Sequence, residues 1–423
     1  LATIAALFDF EEGHFFTNFK LAKDLQERGH RFCYLGPASA EPMVRRQGLE
    51  LIPVFEQLLG TASRSSQALA RTRESEWFGQ LIRGEALDRV IQEVEPDLML
   101  MLSLYYAEAL AVQIRYRLPI VLWTTFCRPS KLTRADLAED RVSNRLMSLK
   151  SSDLDATLQA ASAAGYRFSS FKELAKLVLR MPELVALPRA IELPDVPADP
   201  GIFYVGTGID PNRRDEPFDW GEIAGDRYLI YCSLGSQAEL ERDVAVRFFR
   251  AVLGAAASHP DWQLILSVGK GFDLADLAPV PPNVLLKQWV PQLEILKRAD
   301  LMVTHGGPGT VKECVLAGVP MVVMPLMRDQ FEMAKRAVHH RLGATGNLAE
   351  VTAETLGSLI EGVAADGAVE ERISAMRQLF LEEDRANLGV DVIEAVLAGV
   401  PPAKTAFQSG IQSPILVPSG RGR

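Results

Sequence analysis

The chain has 423 residues, more than one ordinary hydrophobic core takes up, and the length predicts two or three domains. Hydrophobic residues make up 48% and charged residues 23%, a globular balance that excludes wholesale disorder and fibrous architectures. The formal net charge of −9 argues against a general nucleic-acid binder, which would carry a basic excess or a strong basic stripe.

From the N-terminus, short apolar runs alternate with longer helical patterns. Thr3–Phe8 reads as a strand. Phe19–Arg28 places Leu21, Ala22 and Leu25 at helical spacing and stops at Gly29. Arg31–Leu35 is a second strand. Leu98–Leu102 and Ile120–Trp123 are apolar without alternation, as expected of strands covered on both faces of a parallel sheet. Asp136–Leu184 reads as mostly helical, an elaboration on the first half. Leu187–Trp220 holds Pro188, Pro194, Pro197, Pro200, Pro211 and Pro217 among few periodic runs and reads as connecting chain.

The alternation then restarts with Tyr228–Ser233, Gln263–Ser267, Val284–Leu286, Leu301–Thr304 and Met321–Met324 as strands. Strands alternating with helices predict an α/β fold in two similar halves. Glu370–Leu397 reads as C-terminal helix, and Ala403–Arg423, small, polar and aperiodic, as a mobile tail. The expected boundaries are an N-terminal domain over 1–205, a linker over 206–225, a C-terminal domain over 226–402 and the tail over 403–423.

Cys33, Cys127, Cys232 and Cys314 lack metal-ligand or disulfide-framework spacing and read as buried thiols. Leu1–Phe8 has no basic flank and runs into Asp9, Glu11 and Glu12, unlike a signal peptide. No apolar run approaches the ~20 residues that span a bilayer, so a cytoplasmic protein is expected. Asp153-Leu154-Asp155 has the DxD form used by metal-dependent transferases, but it lies in a helical, polar region with no strand before it, and no metal is expected.

The most specific signal follows the strand Leu301–Thr304. His305-Gly306-Gly307-Pro308-Gly309-Thr310 is a glycine-rich turn feeding a helix, where unpaired backbone N–H groups and the positive end of the helix dipole suit a phosphate. Thr310 is placed to cap the helix or to touch the phosphate. The turn has neither the Walker A ending nor the GxGxxG form.

Trp289-Val290-Pro291-Gln292, His305 through Glu313, the run Gly318-Val319-Pro320-Met321 and the pair Asp329-Gln330, in that order, resemble the nucleotide-sugar signature of family 1 glycosyltransferases, the group that includes plant and bacterial natural-product enzymes. Weaker similarity extends over nearly the whole chain. The resemblance implies a GT-B fold, two Rossmann-like domains facing a central cleft, with the C-terminal helix returning to the N-terminal domain. It also implies site residues. Trp289 would stack on the nucleobase, which base–aromatic stacking favours by ~1–3 kcal/mol in nucleic-acid systems, and Gln292 would meet the base edge. Glu313 would accept from the ribose hydroxyls. His305 would contact the diphosphate beside Gly307, Gly309 and Thr310, with Ser236 as a second phosphate contact. Asp329 and Gln330 would hold the sugar.

His14 follows the first strand, where parallel sheets bind ligands, and matches the Gly-His pair of the family. It is the expected general base, taking the proton of an acceptor hydroxyl that attacks the anomeric carbon with inversion. Met333-Ala334 stands where many relatives have Asn-Ala, and two features around His14 also depart from the family pattern. Thr17 stands where a proline is usual, and the strand Leu98–Leu102 ends in Leu102 and Ser103 where an aspartate usually orients the histidine. Asp9, Glu12 and Glu108 are substitutes among which the sequence does not choose.

The expected function is therefore transfer of a sugar from a UDP- or TDP-linked donor to a small, apolar natural-product acceptor. No cofactor is expected, since the nucleotide sugar is a co-substrate. Neither is a nucleic-acid partner or a transmembrane segment, and the oligomeric state is open. The competing readings are an epimerase or hydrolase of sugar nucleotides, a non-catalytic sugar-nucleotide-binding accessory protein that has lost its aspartate, and a nicotinamide-dependent oxidoreductase, against which the missing GxGxxG argues.

Overall fold

The computed structural model describes residues 1–9, 11–54, 81, 87–223 and 226–402. The expected mobile tail, 403–423, lies outside the described residues. The chain forms two wholly parallel sheets. The first has seven strands: β1 (Thr3–Leu7), β2 (Arg31–Gly36), β3 (Glu50–Pro53), β4 (Leu98–Leu102), β5 (Ile120–Thr124), β6 (Glu183–Val185) and β7 (Ile202–Tyr204), in the order β3-β2-β1-β4-β5-β6-β7. The second has six: β8 (Tyr228–Ser233), β9 (Trp262–Ser267), β10 (Val284–Lys287), β11 (Leu301–Thr304), β12 (Met321–Val323) and β13 (Gly343–Thr345), in the order β10-β9-β8-β11-β12-β13. Both are doubly wound α/β sheets of the Rossmann type.

Alternation along each strand explains the uninterrupted apolar runs. In β4, Met99 and Met101 enter one core layer while Leu98, Leu100 and Leu102 enter the opposite one. In β11, Met302 and the pair Leu301 and Val303 divide the same way. Because helices cover both faces, no position can be polar without a buried partner, which is why the sequence shows runs rather than alternation.

Eight helices position the site: α1 (Glu12–Phe16), α2 (Phe19–Glu27), α3 (Arg134–Met147), α4 (Gln292–Leu296), α5 (Pro308–Ala317), α6 (Gln330–His339), α7 (Gly367–Arg385) and α8 (Leu388–Leu397). The single C-terminal helix read over Glu370–Leu397 is two helices. The break falls at Asn387, which takes the left-handed conformation with φ 51°. The chain turns there and α8 crosses to the first sheet, burying Leu388, Val390, Val392 and Ile393 in the layer that holds Phe19, Leu21 and Phe203.

The proline-rich stretch is not all connection. Ile202–Tyr204 within it forms the edge strand of the first sheet, pairing with β6. β6 itself ends a region that reads as helical. Strands of three residues are too short to show a period.

The two sheets are joined through one buried apolar cluster, with Cys127, Val185, Leu187, Ile191 and Tyr204 from the first and Val311, Val315, Met333 and Phe380 from the second. Polar pins reinforce it. The fully buried Lys312 of α5 donates through Nζ to the carbonyls of Ala186 and, at 2.6 Å, of Thr207. Burial pushes its pKa down to about 8. Arg336 of α6 donates through Nε to Glu192 at 2.8 Å. No helix among the described residues is long and apolar enough to cross a membrane.

Candidate functional site

In each sheet the strand order reverses between the first and fourth strands, and ligands of doubly wound folds bind at that switch point, off the carboxyl ends of the strands. In the first sheet this is the gap between β1 and β4. Asp9 and His14 follow β1, and Ser103 and Tyr105 follow β4. In the second it is the gap between β8 and β11, followed by Ser236 and by the turn from His305 to Thr310. The two switch points face one another. A Cβ placed on Gly309 would lie 3.8 Å from the Thr17 Cγ2 atom of the opposite domain, and Lys270 reaches Glu12 across the rim at 3.4 Å.

On the first side, Asp9 Oδ1 stands 2.7 Å from His14 Nδ1. Asp9 is buried, and its other oxygen accepts from the Tyr105 hydroxyl at 2.9 Å. Its Oδ1 also accepts from the Glu11 amide at 3.0 Å. Burial opposes charge on both members, but each holds the other charged. The imidazole beside it keeps the Asp9 pKa below the ordinary carboxylate value. The Asp9 charge and hydrogen bond lift His14 above the ordinary histidine value against the desolvation that would lower it, with smaller help from Glu11 and Asp329. With Nδ1 engaged, Nε2 is the nitrogen left for a substrate. Asp9 thus occupies the role left open by Leu102 and Ser103. Ser103 instead accepts from Thr124 at 2.6 Å in a buried network with Glu183, and Glu108 pairs with Arg145 at 2.7 Å.

Of the aromatic residues after the strand ends, Phe15 and Tyr106 are core side chains, whereas Phe16, Tyr105 and Phe126 are partly exposed. The Arg141 guanidinium of α3 lies 4.7 Å over the Phe126 ring and donates to the Ser103 carbonyl at 2.7 Å.

On the second side, no side chain caps the N-terminus of α5, whose N-cap is Gly307 and whose first position is Pro308. The amides of Gly309 and Thr310 lie in its first turn, where an anion fits. Thr310 is therefore not the cap; its hydroxyl accepts from Gln292 at 3.3 Å. His305 is held between two glycines. A Cβ on Gly235 would come within 2.6 Å of its Cε1, and one on Gly307 within 2.5 Å of its Nε2. Burial pushes the His305 pKa down to about 4, so the ring is neutral near pH 7. Ser236, exposed, follows Gly235 in the adjoining loop.

Trp289 is 37% exposed after β10, an unusual position for an indole and one that offers a stacking face. Gln292 and Glu313 are turned toward each other. The Gln292 amide donates to Glu313 Oε2, and its oxygen receives the Tyr231 hydroxyl at 3.4 Å. Glu313 Oε1 accepts from Arg213 Nη1 at 2.9 Å. Arg213 comes from the connecting chain, is clamped by Asp215 at 3.0 Å and lies 4.2 Å over the Phe16 ring. Asp329 accepts from the Cys127 amide of the opposite domain at 3.2 Å, and burial raises its pKa. The Gln330 oxygen accepts from the amides of Leu326 and Met327, both at 2.9 Å, which leaves its NH2 group for a ligand. Arg328, in the left-handed region with φ 54°, donates to Gln237 at 2.8 Å and ties the two loops of this side together.

Sequence reasoning had Asp9 only as one of three substitutes and Tyr105 only as an aromatic residue after a strand end, and it missed Arg213 and the Cys127 amide as parts of the site. The position of Asp9 just past β1 is a signal available in the sequence. Arg213 in an aperiodic stretch carries none.

Residues 251–387 match the family described as "Erythromycin biosynthesis protein CIII-like, C-terminal domain". The chain is 26% identical over 401 residues to NDP-glycosyltransferase YjiC of Bacillus subtilis (strain 168), covering 91% of this chain and 95% of that one. Among solved structures, the glycotransferase of kitacinnamycin superposes with a TM-score of 0.74 at 27% identity, over 94% of this chain and 99% of that one. Glycosyltransferase VinC, solved in complex with dTDP, shares the fold with a TM-score of 0.65 at 17% identity, over 94% and 99% of the two chains. Along more than nine-tenths of its length the chain is similar in sequence and in fold to glycosyltransferases, and it shares their GT-B architecture of two Rossmann-like domains.

Proposed function

We propose that the protein transfers a sugar, with inversion, from a UDP- or TDP-linked donor to a hydroxyl of a small, largely apolar natural-product acceptor. The observation that carries this is the Asp9–His14 pair at one switch point, set opposite an uncapped glycine turn at the other.

In this reading the acceptor hydroxyl lies against His14 Nε2, among Phe16, Tyr105 and Phe126. Its oxygen attacks the anomeric carbon from the face opposite the diphosphate as the proton passes to Nε2. The bond from the anomeric carbon to the diphosphate oxygen breaks, and its electron pair leaves with the nucleoside diphosphate. Asp9 stabilises the imidazolium that forms, a role for which a buried carboxylate is suited. The amides at the start of α5 and a neutral His305 N–H meet the charge growing on the leaving group, which costs no reorganisation because they are already aimed. Stabilisation of this kind requires no metal. Asp329, with the Gln330 amide beside it, takes the sugar hydroxyls, and Trp289 stacks on the base.

The Asp9–His14 pair also weighs against a non-catalytic binder, a reading that rested on a missing aspartate. The experiment is a comparison of wild type and His14→Ala with a panel of nucleotide sugars and small hydroxylated acceptors. The variant is expected to lose at least ~10²-fold in transfer and to keep nucleoside diphosphate affinity. Near-normal transfer by the variant, or product formed from donor alone, would overturn the assignment.

A further inference from the structure

Three arginines, Arg134, Arg141 and Arg145, share one side of α3, since steps of seven and four residues return to the same face of a helix. Two of them have buried carboxylate partners. Arg134 pairs with Glu183 and Arg145 with Glu108, each at 2.7 Å. Arg141, between them, has no carboxylate partner among the described residues. Its Nη1 donates to the Ser103 carbonyl at 2.7 Å, and its guanidinium lies 4.7 Å from the centre of the Phe126 ring and 5.3 Å from that of Tyr106.

These contacts hold the guanidinium in place without neutralising it. The rings and the carbonyl restrict its orientation, and the carbonyl takes Nη1. The Nε–Nη2 edge is left open, and on such an edge a carboxylate fits with two parallel N–H···O bonds. Arg141 is only partly exposed, so its charge has lost part of its water and gains from an anion brought in from outside.

The surroundings of Arg141 belong to the first-domain side of the cleft. Ser103 stands two residues before Tyr105, whose hydroxyl holds Asp9. Phe126 precedes Cys127, whose amide reaches Asp329 of the opposite domain. A carboxylate on Arg141 therefore lies at the end of β4 and β5, whereas a hydroxyl on His14 lies at the end of β1.

Building on the acceptor-side reading above, we infer that Arg141 is a specificity-determining residue, and that the acceptor is a largely apolar molecule with a carboxylate, apart from the hydroxyl that receives the sugar, which Arg141 binds.

Matched acceptors test this. Hydroxynaphthoic acids with hydroxyl and carboxyl on opposite rings, and hydroxyanthraquinone carboxylic acids, are each assayed beside their methyl esters, with UDP-glucose and TDP-glucose as donors. Wild type is expected to favour each acid over its ester by about tenfold or more in kcat/KM, chiefly through KM, the order that hydrogen bonds to a charged group supply. Arg141→Gln, which keeps a donor for Ser103, is expected to bring the ratio to within about twofold. Arg141→Lys, which keeps the charge but not the fork, is expected to fall between and guards against a folding defect. Wild type treating acid and ester alike, or Arg141→Gln lowering both in proportion, would overturn the inference while leaving transfer in place. Absence of transfer to every acceptor by wild type would remove the transfer reading itself, and this inference with it.

Discussion

Asp9 Oδ1 and His14 Nδ1 are 2.7 Å apart across the turn that joins β1 to α1. Both residues come from one short segment, so their alignment depends on local chain geometry and not on how the domains close. The Asp9 charge raises the His14 pKa, so it favours the imidazolium. A general base acts in its neutral form, and kcat/KM is therefore expected to rise with pH through this raised pKa. Asp9→Asn removes the charge, which moves the acidic limb to lower pH and lowers the plateau by about 10²-fold or more. A pH–rate profile of that variant checks both effects. A plateau loss without movement of the limb would mean that Asp9 does not titrate with His14.

Asp329 receives the Cys127 amide and lies close enough to His14 for their charges to interact. If it holds the sugar, Asp329→Asn should weaken the nucleotide sugar by about tenfold and leave the bare nucleoside diphosphate unaffected. Competition binding with the two ligands reads the difference. Equal losses for both would place Asp329 in the fold rather than against the sugar.

Gly235 takes φ 77° with no room for a Cβ beside His305. Gly235→Ala is expected to displace the imidazole and to cost about 1–3 kcal/mol in stability from strain in the backbone. Diphosphate affinity should fall with it, since His305 would leave the turn. Urea unfolding together with diphosphate titration tests this, and unchanged affinity would separate His305 from the phosphate.

His340 donates to the Ile191 carbonyl at 3.1 Å, and burial pushes its pKa down to about 4. In the unfolded chain its pKa is near the ordinary ~6.5, so on acidification the unfolded state takes up a proton that the folded state refuses. Stability is therefore lost as pH falls from about 6.5 toward 4. Between pH 7 and pH 5 the contribution of His340 is about 2 kcal/mol. His340→Gln, which keeps a donor for Ile191, should reduce the acid-induced loss by about that amount in urea titrations at the two pH values. An identical loss in variant and wild type would refute it.

The core strands were legible because burial on both faces writes itself as unbroken apolar runs. Leu98–Leu102, Tyr228–Ser233 and Leu301–Thr304 occur with those very bounds. The short strands Glu50–Pro53, Glu183–Val185, Ile202–Tyr204 and Gly343–Thr345 at or next to the sheet edges were not, because three or four residues give no period and their extension is imposed by a neighbouring strand. In the site, the glycine turn was legible because its chemistry is contiguous. The engagement of Glu313 by Arg213 was not, since the partners are 100 positions apart and only the folded connection brings them together.

The path of the last helix has a mechanical consequence. The backbone passes between the two halves twice, once through the connecting chain after β7 and again at Asn387 before α8. Two tethers resist torsion in a way that one cannot, while still permitting the halves to swing apart about the line joining them. A truncation just before Leu388 would sever one tether, remove the ten-residue α8 with all that follows it and uncover the apolar layer around Leu21 and Phe203, so that the cost of a loss at the far end of the chain falls on the half that carries His14.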